Sequence, residues 1–310
     1  MPSSKIKSIK GSGIVEWIDV SNPTLRAIKK LQDMYNLRDI DVNDCLSLTR
    51  RSKIDHYDDY TFAIFLYPVF VKDSRDIAPR EVDFWIGEDF LISVHHDNNG
   101  PITELFNECK NSEKSSDKFL SLPPENLLYE IHLKFINYLL PMVNHLDVDL
   151  DNIEQMIFSG HEKEMVKEIS IIRRNITSYR KIIEPHRIIL TKLMKNFQQN
   201  EIYAMQEDDR YFENLIDYAQ EIWNTLENFK ERIEALQETN ESLISFKIND
   251  TMNLLAIVSL ITLPAALIAA IFGTNMENHP ITNFWKLCIL MAGVVSFSFL
   301  VWFYRRKKLH

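Results

Sequence analysis

This chain of 310 residues holds only seven glycines and three cysteines, and each scarcity excludes something. Cys45, Cys109 and Cys288 are far apart and odd in number, which argues against a disulfide framework and against a cysteine-type metal site. No glycine occurs between Gly160 and Gly273, and no proline between Pro185 and Pro264. Such a stretch can only form long helices. There is no glycine-rich phosphate loop, no nucleotide-binding fingerprint and no nucleophile-and-base constellation, and His161-Glu162 lacks the second histidine of a zincin helix. The chain is therefore not read as an enzyme. Basic charge is also short. The net charge is −9, and since residues 251–310 hold five basic residues and one acidic residue, residues 1–250 carry −13. A nucleic-acid binder has the opposite sign, so no nucleic-acid partner is expected. The opening Met-Pro-Ser-Ser-Lys-Ile-Lys has no apolar core, so no secretory leader is predicted.

What the chain does have is two long uncharged runs at its end. Thr251–Met276 contains no charged residue in 26 positions, and Leu287–Tyr304 none in 18. Either can cross a hydrocarbon core of about 30 Å as a helix of about 20 residues. Only the short segment from Glu277 to Lys286 separates them, enough for a tight outer turn. The end of the chain thus reads as a transmembrane hairpin in a lipid bilayer. The basic cluster Arg305, Arg306, Lys307 and Lys308 places its own side, and hence both termini, in the cytoplasm by the positive-inside rule.

The first 120 or so residues alternate short apolar runs with turn-rich polar ones. Thr61–Tyr67, Val82–Ile86 and Phe90–His95 read as strands, the last two joined by the turn Gly87-Glu88-Asp89. Leu25–Tyr35 reads as an amphipathic helix with Leu25, Ile28, Leu31 and Met34 on one face. After Pro123-Pro124 the pattern turns helical. From Phe212 a heptad sets Phe212, Ala219, Leu226, Ile233 and Asn240 at one core position, and Leu215, Ile222, Phe229, Leu236 and Leu243 at the other. One polar core residue in such a seam fixes register. Phe212–Phe272 as one helix would run roughly 90 Å, and copies of itself would bury it most economically, so a parallel homo-oligomer is expected. The alternative is a helix packed on its own domain. Past Leu243 the seam breaks, and a second stripe of apolar and small residues begins. Asn249, Met252, Ala256, Ser259, Leu263, Ala266, Ala270 and Gly273 follow in alternating steps of three and four. Small residues let helices approach closely, so this stripe is the candidate lining of a narrow pore.

These residues carry a family resemblance. Gly273-Thr274-Asn275 resembles a variant of the Gly-Met-Asn signature of the CorA family of divalent-cation channels and transporters, with Thr274 in place of Met. Asn249, Met252, Pro264, Gly273, Asn275, Glu277 and Pro280 fit the family pattern without a gap. Trp17-Ile18-Asp19, Tyr57-Asp58-Asp59-Tyr60 and Phe90–His95 are similar to its cytoplasmic segments. The resemblance implies an α+β membrane protein. An N-terminal α/β cytoplasmic domain (1–122) and cytoplasmic helices (123–207) would precede a stalk that continues into the first of two transmembrane helices (208–273). An outer loop (274–283), a second transmembrane helix (284–304) and a basic tail (305–310) would follow. It also implies a homopentamer.

The implied function is passage of a divalent cation, with Mg²⁺ first and Co²⁺ or Ni²⁺ as surrogates. Mg²⁺ dehydrates reluctantly, so a fast pathway should hold the hydrated ion by outer-shell hydrogen bonds. Gly273 carbonyls and Asn275 amides at the mouth offer that chemistry, with Thr274 making the rim more polar, and Glu277 outside would concentrate cations. Departures matter. Ala266 and Ala270 stand where many relatives have Thr and Gly, and His279 at the mouth could ligate a transition metal or be a solvent loop residue. Zn²⁺ transport is therefore an alternative within the family, and a non-conducting, membrane-tethered coiled-coil scaffold is one outside it. The family also holds a regulatory Mg²⁺ between neighbouring cytoplasmic domains. Asp44 falls at one such position, Asn214 at its partner, and Asp217 lies one turn on; the bland alternative is surface residues without an ion. No cofactor is implied, the cation being substrate and regulator. His95-His96 reads as a structural strand end.

Overall fold

The computed structural model describes residues 4–10, 13, 15–47, 51–96, 100–203, 210–273 and 284–309. They fall into two compact units, Met1–Gln237 and Glu238–His310.

The first unit is built on one six-stranded sheet. Its strands are β1 (Lys5–Lys10), β2 (Glu16–Ser21), β3 (Lys53–His56), β4 (Tyr60–Val71), β5 (Asp76–Gly87) and β6 (Phe90–His95), in the order β1-β2-β6-β5-β4-β3. Only β2 and β6 run parallel. The long central pair is apolar on both faces because both are covered, a pattern that a sheet with one wet face would not tolerate. One face receives α1 (Leu25–Tyr35) and α2 (Asp39–Ser47) over Ile18, Val20, Phe62, Ile64, Trp85, Ile92 and Val94. The amphipathic reading of α1 holds at its centre, where Ile28 and Leu31 are buried. Leu25 and Met34, expected on the same stripe, are exposed, because each step of three residues drifts by about 60° and turns both ends away from the face of Ala27, Ile28 and Leu31.

The other face carries α3 (Pro101–Asn111), α4 (Glu113–Leu120), α5 (Pro124–Phe158), α6 (Glu162–Ile183) and α7 (His186–Gln199). The helices expected as a separate segment at 123–207 thus belong to the same compact unit as the sheet. β4 and β5 are longer than the apolar runs predicted, since their ends project beyond β3 and β6 as a two-stranded ribbon. Pro68 and Pro79 sit opposite each other in that ribbon, where no further strand needs their missing donors. At its tip Arg75 adopts a left-handed φ of 54°, uncommon outside glycine. Asn175 of α6 compensates: its Oδ1 accepts from Ile77 N at 3.2 Å and its Nδ2 donates to Arg75 O at 3.0 Å. Arg75 also grips Glu168 with two bonds of 3.0 and 2.6 Å, and Arg174 pairs with Asp76.

Two histidines lie between the sheet and these helices. His132 donates through Nδ1 to Leu128 O at 3.0 Å, and His186 through Nε2 to Leu66 O at 2.7 Å, both edge-on to Phe65. Burial pushes their basicity down, to about 3 for His132 and about 4 for His186. Both are neutral in the folded unit and would titrate near 6.5 when unfolded. Their contribution to stability is complete above pH 6.5 and is lost as pH falls below it, by up to about 1.4 kcal/mol per pH unit for each. Thermal melts between pH 7 and pH 5 should therefore show falling stability, and His132→Phe, which keeps an aromatic ring but cannot charge, should flatten that slope.

Helix α8 (Tyr211–Gly273) runs through the end of the first unit and into the second. Most of its heptad is covered within one chain, while Phe229 and Leu243, read at the same core position as Leu215, are only half-buried. Phe212, Leu215, Ala219, Ile222, Leu226, Ile233, Leu236 and Asn240 are all buried without any second copy. Phe212 meets Tyr129 of α5 and Phe197 of α7, Arg180 of α6 pairs with Glu227, and Arg232 binds Asp147, Asp151 and Glu154 of α5. The packing of this helix on its own domain, weighed as the alternative, is what covers Phe212–Leu236. That face is then not available to a second copy. Leu226→Ala should lower the stability of the first unit by about 2–5 kcal/mol, the cost of a core cavity, while leaving oligomer mass unchanged. Calorimetry and native mass spectrometry on one preparation would check both.

Candidate functional site

The second unit contains the end of α8 and α9 (Phe284–Leu309). Among the described residues α8 is the one helix long and apolar enough to cross a membrane, and α9 holds a shorter apolar stretch, Cys288–Leu300. On α8 the half-buried residues Ile257, Ile261, Pro264, Ala265 and Ile268 form a single stripe. On α9 the half-buried Cys288, Met291, Val294 and Val295 and the buried Ser298 form another.

The candidate pore stripe is elsewhere on α8. Asn249, Met252, Ala256, Ser259, Leu263, Ala266, Ala270 and Gly273 are all exposed. At about 100° per residue their mean direction is roughly 160° away from the half-buried stripe. The helix therefore has a half-covered back and a front of small, polar and apolar residues that the described residues leave exposed. Among the described residues, nothing stands within 4 Å of the place a Gly273 side chain would occupy. Thr251 and Thr262 donate to their own i−4 carbonyls, Lys247 O at 2.9 Å and Val258 O at 2.8 Å, so their hydroxyls are satisfied locally, as a low-dielectric surrounding requires. Exposed Leu254, Leu255, Leu260, Leu267 and Ile271 fill the flanks. An apolar surface of this extent needs lipid or other copies of the chain. Thr274, Asn275, Glu277 and His279 lie outside the described residues, as does the expected outer loop. Arg305, Arg306, Lys307 and Lys308 belong to the last turns of α9.

The three expected regulatory residues belong to the first unit. Asp44 on α2 is salt-bridged to Lys53 of β3 at 2.5 Å, and the same ammonium binds Asp55 at 2.5 Å. Burial alone would lower the Lys53 ammonium, but its bonds to the two carboxylates outweigh that and hold it above its ordinary value. Asn214 and Asp217 are exposed on α8, and Asn214 is hydrogen-bonded to Tyr129. Among the described residues of a single chain no three His, Cys, Asp or Glu side chains converge as a metal site. A site shared between chains would not be complete in one of them.

Two features escaped the sequence reading. Lys53 is one; its only signal was the strand spacing of Lys53 and Asp55, which puts both on one face. The other is Asp83, which burial and then Glu81 push well above the usual carboxylate range, and which Cys45 hydrogen-bonds. His95 is structural as expected: its Nε2 lies 3.1 Å from Asp19, which also accepts from Ser93 at 2.8 Å.

A soluble α/β unit, a continuous helix leaving it and an apolar end define a membrane protein of the CorA architecture. The comparison with known proteins is decisive on kinship. The family described as "CorA-like Mg2+ transporter protein" matches residues 12–307, and the chain belongs to it. It is 22% identical over 303 residues to the cobalt/magnesium transport protein CorA of Thermotoga maritima, covering 96% of this chain and 84% of that one. It is 22% identical over 304 residues to the protein of the same name from Methanocaldococcus jannaschii, covering 94% and 90%. The complete structure of the Methanocaldococcus jannaschii CorA magnesium transporter superposes with a TM-score of 0.80 at 20% identity, covering 99% of both chains. The chain is a divalent metal cation transporter of this family and not an enzyme.

Proposed function

We propose that the protein is a homopentamer whose α8 helices surround a pore, and that it passes hydrated Mg²⁺, with Co²⁺ and Ni²⁺ as surrogates, across the cytoplasmic membrane. The observation that carries this reading is the open front of α8. A tether has no use for a stripe of small residues from Asn249 to Gly273 on the side opposite the one its own chain half-covers. Five such fronts facing one axis would enclose a narrow lumen with no fixed carboxylate between its ends. Selection would then fall on Gly273, Thr274 and Asn275 at the mouth, through hydration geometry and field strength. Both termini would lie in the cytoplasm, beside Arg305–Lys308. The two CorA relatives, both cobalt/magnesium transport proteins, support cobalt and magnesium as the ion class.

The filter assignment has a direct test. Asn275→Ala should reduce Mg²⁺ uptake into proteoliposomes to background while native mass spectrometry still finds five copies. Wild-type uptake by an assembled variant would remove the pore assignment. Running Zn²⁺ beside Mg²⁺, with and without a pH gradient, separates the zinc-transporting alternative.

Gating by cytoplasmic Mg²⁺ would use Asp44 against Asn214 and Asp217 of a neighbour. Within the chain Asp44 already has a cation, Lys53. A bridging Mg²⁺ must share or displace it, and with only an amide at 214 closure would be weak. Asp44→Asn should raise uptake at millimolar internal Mg²⁺ and change little without it. Lys53→Gln should act oppositely, shifting inhibition to lower internal Mg²⁺, because two carboxylates lose their counter-ion. Inhibition curves equal to wild type for both variants would place any regulatory ion elsewhere.

A further inference from the structure

The sheet face under α2 buries two carboxyl groups. Glu81 and Asp83 are two residues apart on β5, so strand alternation points both to the side that α1 and α2 cover. Trp85, the next residue in that row, belongs to the apolar core there, together with Val42 and Cys45 of α2. Asp83 is 3% exposed and Glu81 8%. The Asp83 side chain is hydrogen-bonded to the thiol of Cys45, which is itself wholly buried. Its Oδ1 is buried and has no hydrogen-bond partner. A thiol is a weak donor and offers little to an anion.

The surroundings supply no counter-charge. Across the ladder Asp83 stands between Ile64 of β4 and Val94 of β6. Lys53 of β3 is opposite Ile64, one strand further out, but its ammonium is held by Asp44 and Asp55. His96, after the end of β6, is exposed and engaged elsewhere. From α1 the face receives Ile28 and Leu31, which carry no charge. On α2, Asp41 is turned to Tyr57 and Tyr60. The charges that act on Asp83 through space are those of Glu81 and Asp44, both negative. An ionised carboxylate would therefore be buried without a cation and short of a hydrogen bond. A bound proton removes the charge, and a neutral acid costs far less in such a place.

We propose that Asp83 is a proton-operated clasp between α2 and the sheet: as a neutral acid it lets α2 close over β5, and on losing its proton it opens that contact. An unfolded aspartate titrates near 3.9. The folded one holds its proton to higher pH, so the stability it contributes is complete below about pH 3.9 and is lost as pH rises through the folded value. This is opposite in sense to His132 and His186, whose loss comes as pH falls. Helix α2 has nine residues and lies at the surface of the unit, with Asp39, Ile40 and Asn43 exposed. Local opening of so short an element relieves the buried charge without unfolding the sheet, and it uncovers Cys45. The clasp depends neither on the transport reading nor on a metal ion at Asp44.

The test uses the full-length protein in detergent. Asp83→Asn puts an uncharged group of the same shape in place of the acid. Between pH 5 and pH 8.5 its melting temperature should rise steadily relative to wild type, which loses up to about tenfold in its folded-to-unfolded ratio per pH unit. Glu81→Gln should reduce the wild-type decline, because the anion then faces one negative neighbour fewer. The second readout is maleimide labelling of Cys45, followed peptide by peptide by mass spectrometry, with the buried Cys109 of α3 as the reference thiol. As pH rises, Cys45 should gain on Cys109 in the wild type and keep step with it in Asp83→Asn. Melting curves that stay parallel for wild type and both variants would mean that Asp83 carries the same charge folded and unfolded, and the proposal fails. It fails equally if Cys45 and Cys109 keep step in the wild type.

Discussion

Everything in this chain depends on one helix having to satisfy two solvents. From Tyr211 to Gly273 the backbone is continuous, with Pro264 as its only interruption in sequence. Its first half is a core element: Phe212, Leu226 and Ile233 are wholly buried against α5, α6 and α7. Its second half has no buried residue in the apolar window and could not remain in water. Helical hydrogen bonding stays inside the element, so one helix can pass from a protein core to a hydrocarbon surrounding with its backbone paired internally, except at the Leu260 carbonyl that Pro264 leaves without a donor. A strand could not do this without a partner at every step.

That arrangement places a demand on the soluble unit. The unit must hold the N-terminal half of α8 rigidly, and it does so partly with polar groups that cannot easily be exchanged. Asn175 closes the ribbon tip, the neutral His132 and His186 fill an aromatic layer, and Asp41 accepts from Tyr57 at 3.1 Å and Tyr60 at 2.7 Å to tie α2 to the sheet. Buried groups that are paired, as Asn175 and Asp41 are, specify one packing, because every alternative leaves at least one of them unpaired. On the surface of α5 the three carboxylates around Arg232 contribute less to stability, being solvent-screened, but they set the register of α5 against α8.

Charge near α2 illustrates how function and folding compete for the same atoms. Asp44 and Asp55 would repel each other without Lys53, so the ammonium stabilises the single chain. The same ammonium occupies the oxygen that an interfacial cation would use. Under the proposed gating, a metal arriving between subunits would compete with this internal ion pair, and the strength of that pair would set the concentration at which inhibition begins.

The sequence alone determined the two uncharged runs, the strand Phe90–His95, the helix Leu25–Tyr35 and the long helix free of glycine, since these follow from local periodicity and from the absence of residues that break it. It also placed the small-residue stripe, whose spacing is intrinsic to any helix. Only the tertiary structure decided what each face meets. The seam from Phe212 to Leu236 has the same heptad whether its partner is another copy or the chain's own α5–α7, because periodicity defines an apolar face and not its occupant. The partner of Asp44 was hidden for a related reason: Lys53 lies nine residues away in sequence, and a strand and a helix must fold against each other before an ammonium and a carboxylate can meet.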